Sequence, residues 1–136
     1  MNTKIIMTLS SLFSAIMGLT ISFLPNEIID YLDIESNIIT ILFIKILGAL
    51  YMAFGILNWM ARGTLFGGIY NRPITMGNLM HFGVGAIALI KIAANSANYS
   101  EIIIPLTVIY IIFALFYLYI FKTSPAIVKS KNNSQQ

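Results

Sequence analysis

Few side chains in this sequence are suited to acid–base, metal or nucleophilic chemistry. The chain has one His, no Cys and only 5 acidic residues. No Asp or Glu lies within the long apolar runs, so these runs contain neither a His–carboxylate pair nor an acidic proton relay. A single His without embedded carboxylates also cannot complete the coordination set of a metal site. We therefore predict no catalytic residue, no metal and no cofactor, and we assign no cofactor-binding residue.

Lys45 is the most informative side chain, because it lies inside an apolar run. It is about 10 Å from the start of that run at 1.5 Å per residue. A Lys at mid-helix costs about 2.5–3.5 kcal/mol on insertion, so an intramembrane charge is a functional candidate by default. Snorkelling, in which the flexible stem carries the ammonium to the headgroups, is the alternative. Lys91, about one turn from the end of its own run, has the same two interpretations.

Two apolar runs each have a face that collects polar residues at 100° per residue. Treated as antiparallel neighbours, these runs bring Lys45 and Lys91 together at one end and Asn58, Arg62, Asn78 and His81 together at the other. The candidate functional residues are Lys45, Tyr51, Asn58, Trp59, Arg62, Arg72, Asn78, His81 and Lys91.

The stretch from Leu57 to His81 separates these two runs and predicts a structured hairpin, centred on residues 61–76. It contains the only Trp, both Arg residues and the only His. Asn71-Arg72-Pro73 predicts a turn, because a proline disfavours helical geometry at the preceding residue. The hairpin is either a lipid-anchored turn, with its Arg side chains on lipid phosphates, or a binding loop for an anionic ligand or partner.

The composition is that of a membrane protein. Hydrophobic residues make up 58% of the chain and charged residues 10%, whereas soluble domains average about 25% charged residues. About 20 apolar residues span a hydrocarbon core of roughly 30 Å. We predict an all-α fold, a bundle of four transmembrane helices in residues 1–122, followed by a disordered cytoplasmic tail at 123–136. The predicted spans are 5–24, 38–60, 77–94 and 102–121.

The charges are distributed unevenly between the connecting segments. Four of the acidic residues lie in the segment 25–37, where we predict a short amphipathic surface helix that starts at Glu27 and is capped by Asn26. Positive residues stay on the cytoplasmic side of a membrane. We therefore predict that both termini are cytoplasmic. The residues on that side are Lys4, Arg62, Arg72, Lys122, Lys129 and Lys131.

Small residues predict where the membrane helices approach each other. Helix association in lipid depends on close packing of small residues, because lipid is as apolar as the helices. The first run has Ser10, Ser14 and Gly18 at intervals of four, and the second has Gly48 and Gly55 seven apart. These stripes favour a bundle held by contacts between small residues.

The segment ILGALYMAFGILNWMARGTLFGGIYNRPITMGNLMHFGVGAIALIK resembles small uncharacterised four-helix bacterial membrane proteins. The placing of FLPNEIIDYLDI after the first run is similar too. In broad layout the chain also resembles the DoxX-like group, some members of which are associated with quinol oxidation. The resemblance covers about Leu12 to Leu118, and it implies a location in a bacterial inner membrane. It implies no assigned reaction, so no catalytic residue is transferred from it.

Three functional hypotheses follow. The first is a non-enzymatic accessory or structural membrane protein, acting through helix packing and the cytoplasmic hairpin. Its partners would be the lipid bilayer and a membrane protein or a second copy, and not nucleic acid. The second is an oligomeric small-molecule transporter with Lys45 and Lys91 in an outward cavity. The third is a redox subunit that binds quinone or haem near His81.

Overall fold

The computed structural model describes residues 3–63, 71–95 and 99–123, and these are almost entirely helical. They form α1 (Thr3–Phe23), α2 (Pro25–Tyr31), α3 (Ile38–Ala61), α4 (Asn71–Asn95) and α5 (Ser100–Thr123), with no strand among them. Four of these helices, all except α2, are long and apolar enough to cross a membrane. The prediction of an all-helical protein with four candidate membrane spans is confirmed. The predicted disordered tail lies outside the described residues, apart from Thr123.

The chain divides into two compact units, residues 1–63 and residues 64–136. In the first unit α1 packs along α3, and α2 contacts both of them. In the second unit α4 packs along α5. The single four-helix bundle and the meeting of the α3 and α4 faces stay predictions.

The α1–α3 pair is held by backbone contact at glycines, as the small-residue stripes predicted. A Cβ added to Gly18 would lie 2.6 Å from the backbone nitrogen of Met52 and 2.9 Å from the carbonyl oxygen of Gly48. A Cβ added to Gly48 would lie 2.7 Å from the nitrogen of Ser22. Since real side chains do not approach so closely, only glycine allows this separation of the two helices. The pairing of Gly18 with Gly48 also shows that α1 and α3 run antiparallel, because Gly55 faces Ala15 further along.

The short helix α2 is amphipathic, as predicted, but it begins earlier than predicted. Pro25 occupies its first turn, and Leu24 precedes it without a side-chain cap. The predicted cap at Asn26 is therefore wrong, because the fixed φ and missing N–H of a proline suit the first helical position. Ile29 is buried with 1% of its surface exposed, while Glu27 and Asp30 are exposed.

The helix α4 also begins earlier than predicted, at Asn71 rather than at Gly77. The predicted turn at Asn71-Arg72-Pro73 is wrong, because these residues form the first turn of α4. The first four N–H groups of a helix have no partner within it, so Pro73 loses no helical hydrogen bond there. A proline is tolerated in the first turn of a helix, although the residue before a proline is usually extended.

The α4–α5 pair is filled with aromatic rings rather than with small residues. Phe82 is fully buried, and its ring centroid lies 5.3 Å from that of Tyr110, 4.8 Å from Phe113 and 5.8 Å from Tyr117. Gly85 makes room for one of these rings, because a Cβ there would lie 2.7 Å from Cδ1 of Tyr110. The Phe82–Tyr110 pair is edge-to-face, with 70° between the ring planes, and a pair of this geometry contributes about 0.5–1.5 kcal/mol beyond its buried area.

We expect Gly48→Ala to lower the free energy of unfolding by about 1–3 kcal/mol, because the added methyl group forces α1 and α3 apart. Gly83→Ala is the matched control, because a Cβ at Gly83 meets nothing within 4 Å. That control should be neutral or stabilising by up to about 1 kcal/mol, since Ala favours helix. Equilibrium unfolding of the purified full chain in mixed micelles measures both values. Equal effects of the two substitutions would contradict the backbone contact.

Candidate functional site

A set of buried polar side chains joins α1 to α3. The Ser11 hydroxyl donates to the carbonyl oxygen of Gly55 at 2.7 Å. The Asn58 side-chain amide donates to the Ser10 hydroxyl at 3.3 Å, which in turn donates to the Met7 carbonyl at 3.1 Å. Asn58 and Ser10 are fully buried. Asn58, predicted as a candidate functional residue, therefore takes part in the packing of α1 against α3.

Two serines in the same pair differ from Ser11. The hydroxyl oxygens of Ser14 and Ser22 are buried and have no hydrogen-bond partner among the residues that the structure describes. Ser11 itself was not among the residues predicted to pack. The sequence feature that points to Ser11 is the glycine at position 55. Gly55 has no side chain to cover its carbonyl oxygen, so a hydroxyl on α1 can reach it.

The end of the α1–α3 pair where α3 stops carries a cationic groove of about 440 Å³, lined by Lys4, Trp59, Met60, Arg62 and Gly63. The Arg62 guanidinium lies over the Trp59 ring, with Cζ 3.1 Å from the ring centroid. Its Nη1 also donates to the Trp59 carbonyl oxygen at 3.2 Å.

Local sequence explains the geometry of this groove. Trp59 lies in the last turn of α3, and Arg62 follows the last helical residue, Ala61. A spacing of three places both on one side of the helix, and a cation is favoured where the helix ends. Lys4 comes from the start of α1, which reaches the same end because the two helices are antiparallel. The structure therefore brings two of the predicted candidates, Trp59 and Arg62, together with Lys4.

A second groove, apolar and of about 340 Å³, runs between α1 and α3 next to the cationic groove. It is lined by Ser11, Leu12, Ala15, Gly55, Ile56 and Trp59. It exists because Gly55 and Ala15 lack large side chains, which leaves the surface concave where α1 and α3 meet. Trp59 lines both grooves and has 52% of its surface exposed.

Two predicted candidates on α3, Lys45 and Tyr51, are not among the residues that line these grooves. Lys45 is exposed on α3, and Tyr51 is buried with 8% of its surface exposed. Lys91 is exposed near the end of α4, and its carbonyl oxygen accepts from the Asn95 side chain at 2.7 Å. The outward cavity that contains Lys45 and Lys91 stays a prediction.

In the second unit His81 is part of the aromatic contact between α4 and α5. Its ring centroid lies 4.9 Å from that of Phe82 and 5.7 Å from that of Tyr110. Asn78, one turn away, is fully buried and donates to the Ile74 carbonyl at 2.9 Å. Because α4 begins at Asn71, His81 lies about 15 Å into the helix at 1.5 Å per residue. The binding of quinone or haem near His81 stays a prediction.

Arg72 lies in the first turn of α4 and is exposed. Its guanidinium carbon is 5.5 Å from the Phe121 ring centroid, so it contacts α5. Residues 64–70 of the predicted hairpin lie outside the described residues. Across the ranges that the structure describes, no three His, Cys, Asp or Glu side chains lie close enough to hold a metal ion.

Comparison of the chain with protein-family models, with curated proteins and with solved structures found no match. The resemblance to DoxX-like proteins and the bacterial assignment therefore stay predictions.

We expect Ser11→Ala to lower the free energy of unfolding by about 0.5–1.5 kcal/mol, because it removes a hydrogen bond between α1 and α3. Ser14→Ala is the matched control on the same helix. It should be neutral or slightly stabilising, since it removes a buried hydroxyl that makes no hydrogen bond to the described residues. Both values come from unfolding in mixed micelles. A larger loss for Ser14→Ala than for Ser11→Ala would contradict this assignment.

Proposed function

We propose that this protein is a non-enzymatic accessory or structural subunit of a bacterial inner membrane, with both termini in the cytoplasm. Its long helices anchor it in the bilayer. The segment between α3 and α4, together with the first turn of α4, which carries Arg72, contacts a membrane protein partner on the cytoplasmic face.

The α1–α3 contact is the observation that supports this proposal most. The helix backbones touch at Gly18 and Gly48, and the serine and asparagine side chains between them are used in helix packing. Direct backbone contact of this kind suits a fixed support better than a carrier, which must open and close. The polar groups in this contact therefore have a structural role that requires no reaction.

The outer surface of the long helices supports the membrane location. Large apolar side chains remain exposed along all four of them, with 84% of the surface of Ile38, 75% of Met60 and 70% of Ile87 accessible. Exposed apolar area on this scale is unusual for a protein in water. A bilayer covers such side chains without a protein partner.

The charges of the first unit support the proposed orientation. Lys4 and Arg62 lie at one end of the antiparallel α1–α3 pair. Glu27 and Asp30 lie on α2, which follows the opposite end of α1. Because Lys and Arg are retained in the cytoplasm, the end with Lys4 and Arg62 is the cytoplasmic one in this proposal.

Single cysteines test the orientation directly, since the chain has no Cys of its own. Ser36 and Gly63 are exposed residues in the connections before and after α3. We expect a membrane-impermeant maleimide to label Ser36→Cys in intact cells and Gly63→Cys only after permeabilisation. The unsubstituted chain controls for background labelling. The reverse pattern would overturn the orientation with both termini inside.

Native mass spectrometry of the full chain, extracted gently from its own membrane, tests the accessory role. We expect a stoichiometric complex with a different membrane protein, and we expect Arg72→Ala to reduce its fraction several-fold. Lys91→Ala, at the other end of α4, is the matched control and should leave the complex intact. An oligomer of this chain alone that carries a small molecule would instead favour the transporter or the redox hypothesis. A bare monomer would contradict the accessory role.

A further inference from the structure

We propose that the cationic groove and the apolar groove together bind one anionic glycerophospholipid. Its phosphate lies between Lys4 and Arg62, and one acyl chain follows the apolar groove between α1 and α3. This inference goes beyond the accessory role, because it assigns a ligand and requires no protein partner.

The charge of the cationic groove selects for an anion. Two of its lining residues, Lys4 and Arg62, are cationic, and none of its described lining residues is acidic. The guanidinium of Arg62 lies on the Trp59 ring, which fixes the plane of its N–H groups. A guanidinium held in a fixed plane offers the paired donors that match two phosphate oxygens.

The position of the apolar groove suits an acyl chain. It reaches Ser11 and Leu12, whereas the cationic groove contains Lys4. From Lys4 to Ser11 the helix rises about 10 Å at 1.5 Å per residue. The polar zone on each side of a bilayer is only about 5–8 Å thick. With Lys4 at the level of the phosphates, the apolar groove therefore lies in the hydrocarbon.

Trp59 connects the two parts of the proposed site. It lines both grooves, and tryptophan prefers the boundary between headgroups and hydrocarbon. A free phosphate ion would use only the cationic groove. A second copy of the chain would fill the apolar groove, and it is the other occupant that the measurement must distinguish from a lipid. A lipid with one negative charge is the ligand that satisfies both grooves.

The only Trp of the chain provides the measurement. The purified full chain is placed in phosphatidylcholine bilayers that contain a fraction of lipid with brominated acyl chains, which quench nearby Trp fluorescence. We expect brominated phosphatidylglycerol to quench Trp59 at a severalfold lower fraction than brominated phosphatidylcholine. Each cation near an anionic lipid contributes about fivefold in affinity. Lys4→Gln and Arg62→Gln should each reduce the preference by about that factor.

Lys122→Gln is the matched control, because Lys122 is an exposed cation in the last turn of α5. It should keep the full preference for phosphatidylglycerol. Equal quenching by the two lipids would overturn the proposal, and so would an unchanged preference in both Lys4→Gln and Arg62→Gln. Relief of quenching by millimolar inorganic phosphate would also overturn it, in favour of a free-anion site. A dimer in which neither lipid quenches Trp59 would also overturn the proposal, and would assign the apolar groove to a second copy of the chain.

The lipid test and the partner test fail independently. The quenching experiment contains no other protein, so its failure leaves the accessory role unaffected. The partner test changes Arg72, which lines neither groove. If no partner complex is found, the lipid site is unaffected.

Discussion

The structure of the first unit depends on direct contact between the backbones of α1 and α3. In a bilayer, apolar side chains gain little by leaving lipid for protein, so the attraction between helices comes from close contact and hydrogen bonds. Glycine at positions 18, 48 and 55 lets the two helices approach until backbone atoms of one touch those of the other. The same approach makes the Gly55 carbonyl available to Ser11. It also sets the register in which Lys4 comes to lie beside Trp59 and Arg62.

The second unit is built on a different physical basis. Its helices are separated by rings, and Phe82 is in contact with Tyr110, Phe113 and Tyr117. Large ring surfaces provide many weak dispersion attractions, which are small individually and large in sum. At Gly85 the absence of a side chain admits the Tyr110 ring.

The sequence was sufficient for the existence of the four long helices and for the glycines of the α1–α3 contact. Length and hydropathy determine a membrane span, and glycine spacing determines where a close approach is possible. The start of α4 was mispredicted because Pro73 has opposite meanings in the interior of a helix and in its first turn. Pro25 was passed over at the start of α2 for the same reason, in favour of a cap at Asn26.

The candidate site was predicted only in part. Trp59 and Arg62 were identified because their residue types suit the membrane boundary. The role of Lys4 was not, because a helix partner is a long-range property that hydrophobic periodicity does not encode. The antiparallel pairing of α1 with α3 is what brings Lys4 to the groove. Chain order alone favoured α4 as the neighbour of α3, and that arrangement stays a prediction.

The register of α1 against α3 also changes how deep Lys45 is. Measured along α3 alone, Lys45 is two turns from the start of the helix at Ile38. Measured against α1, it is shallower, because Gly48 lies beside Ser22 and α1 ends at Phe23. Lys45 is one turn from Gly48 towards the start of α3, so it is level with the place where α1 ends and α2 begins. The first two turns of α3 thus extend beyond the end of α1. The Lys45 side chain is therefore attached near the end of the helix pair rather than at its middle.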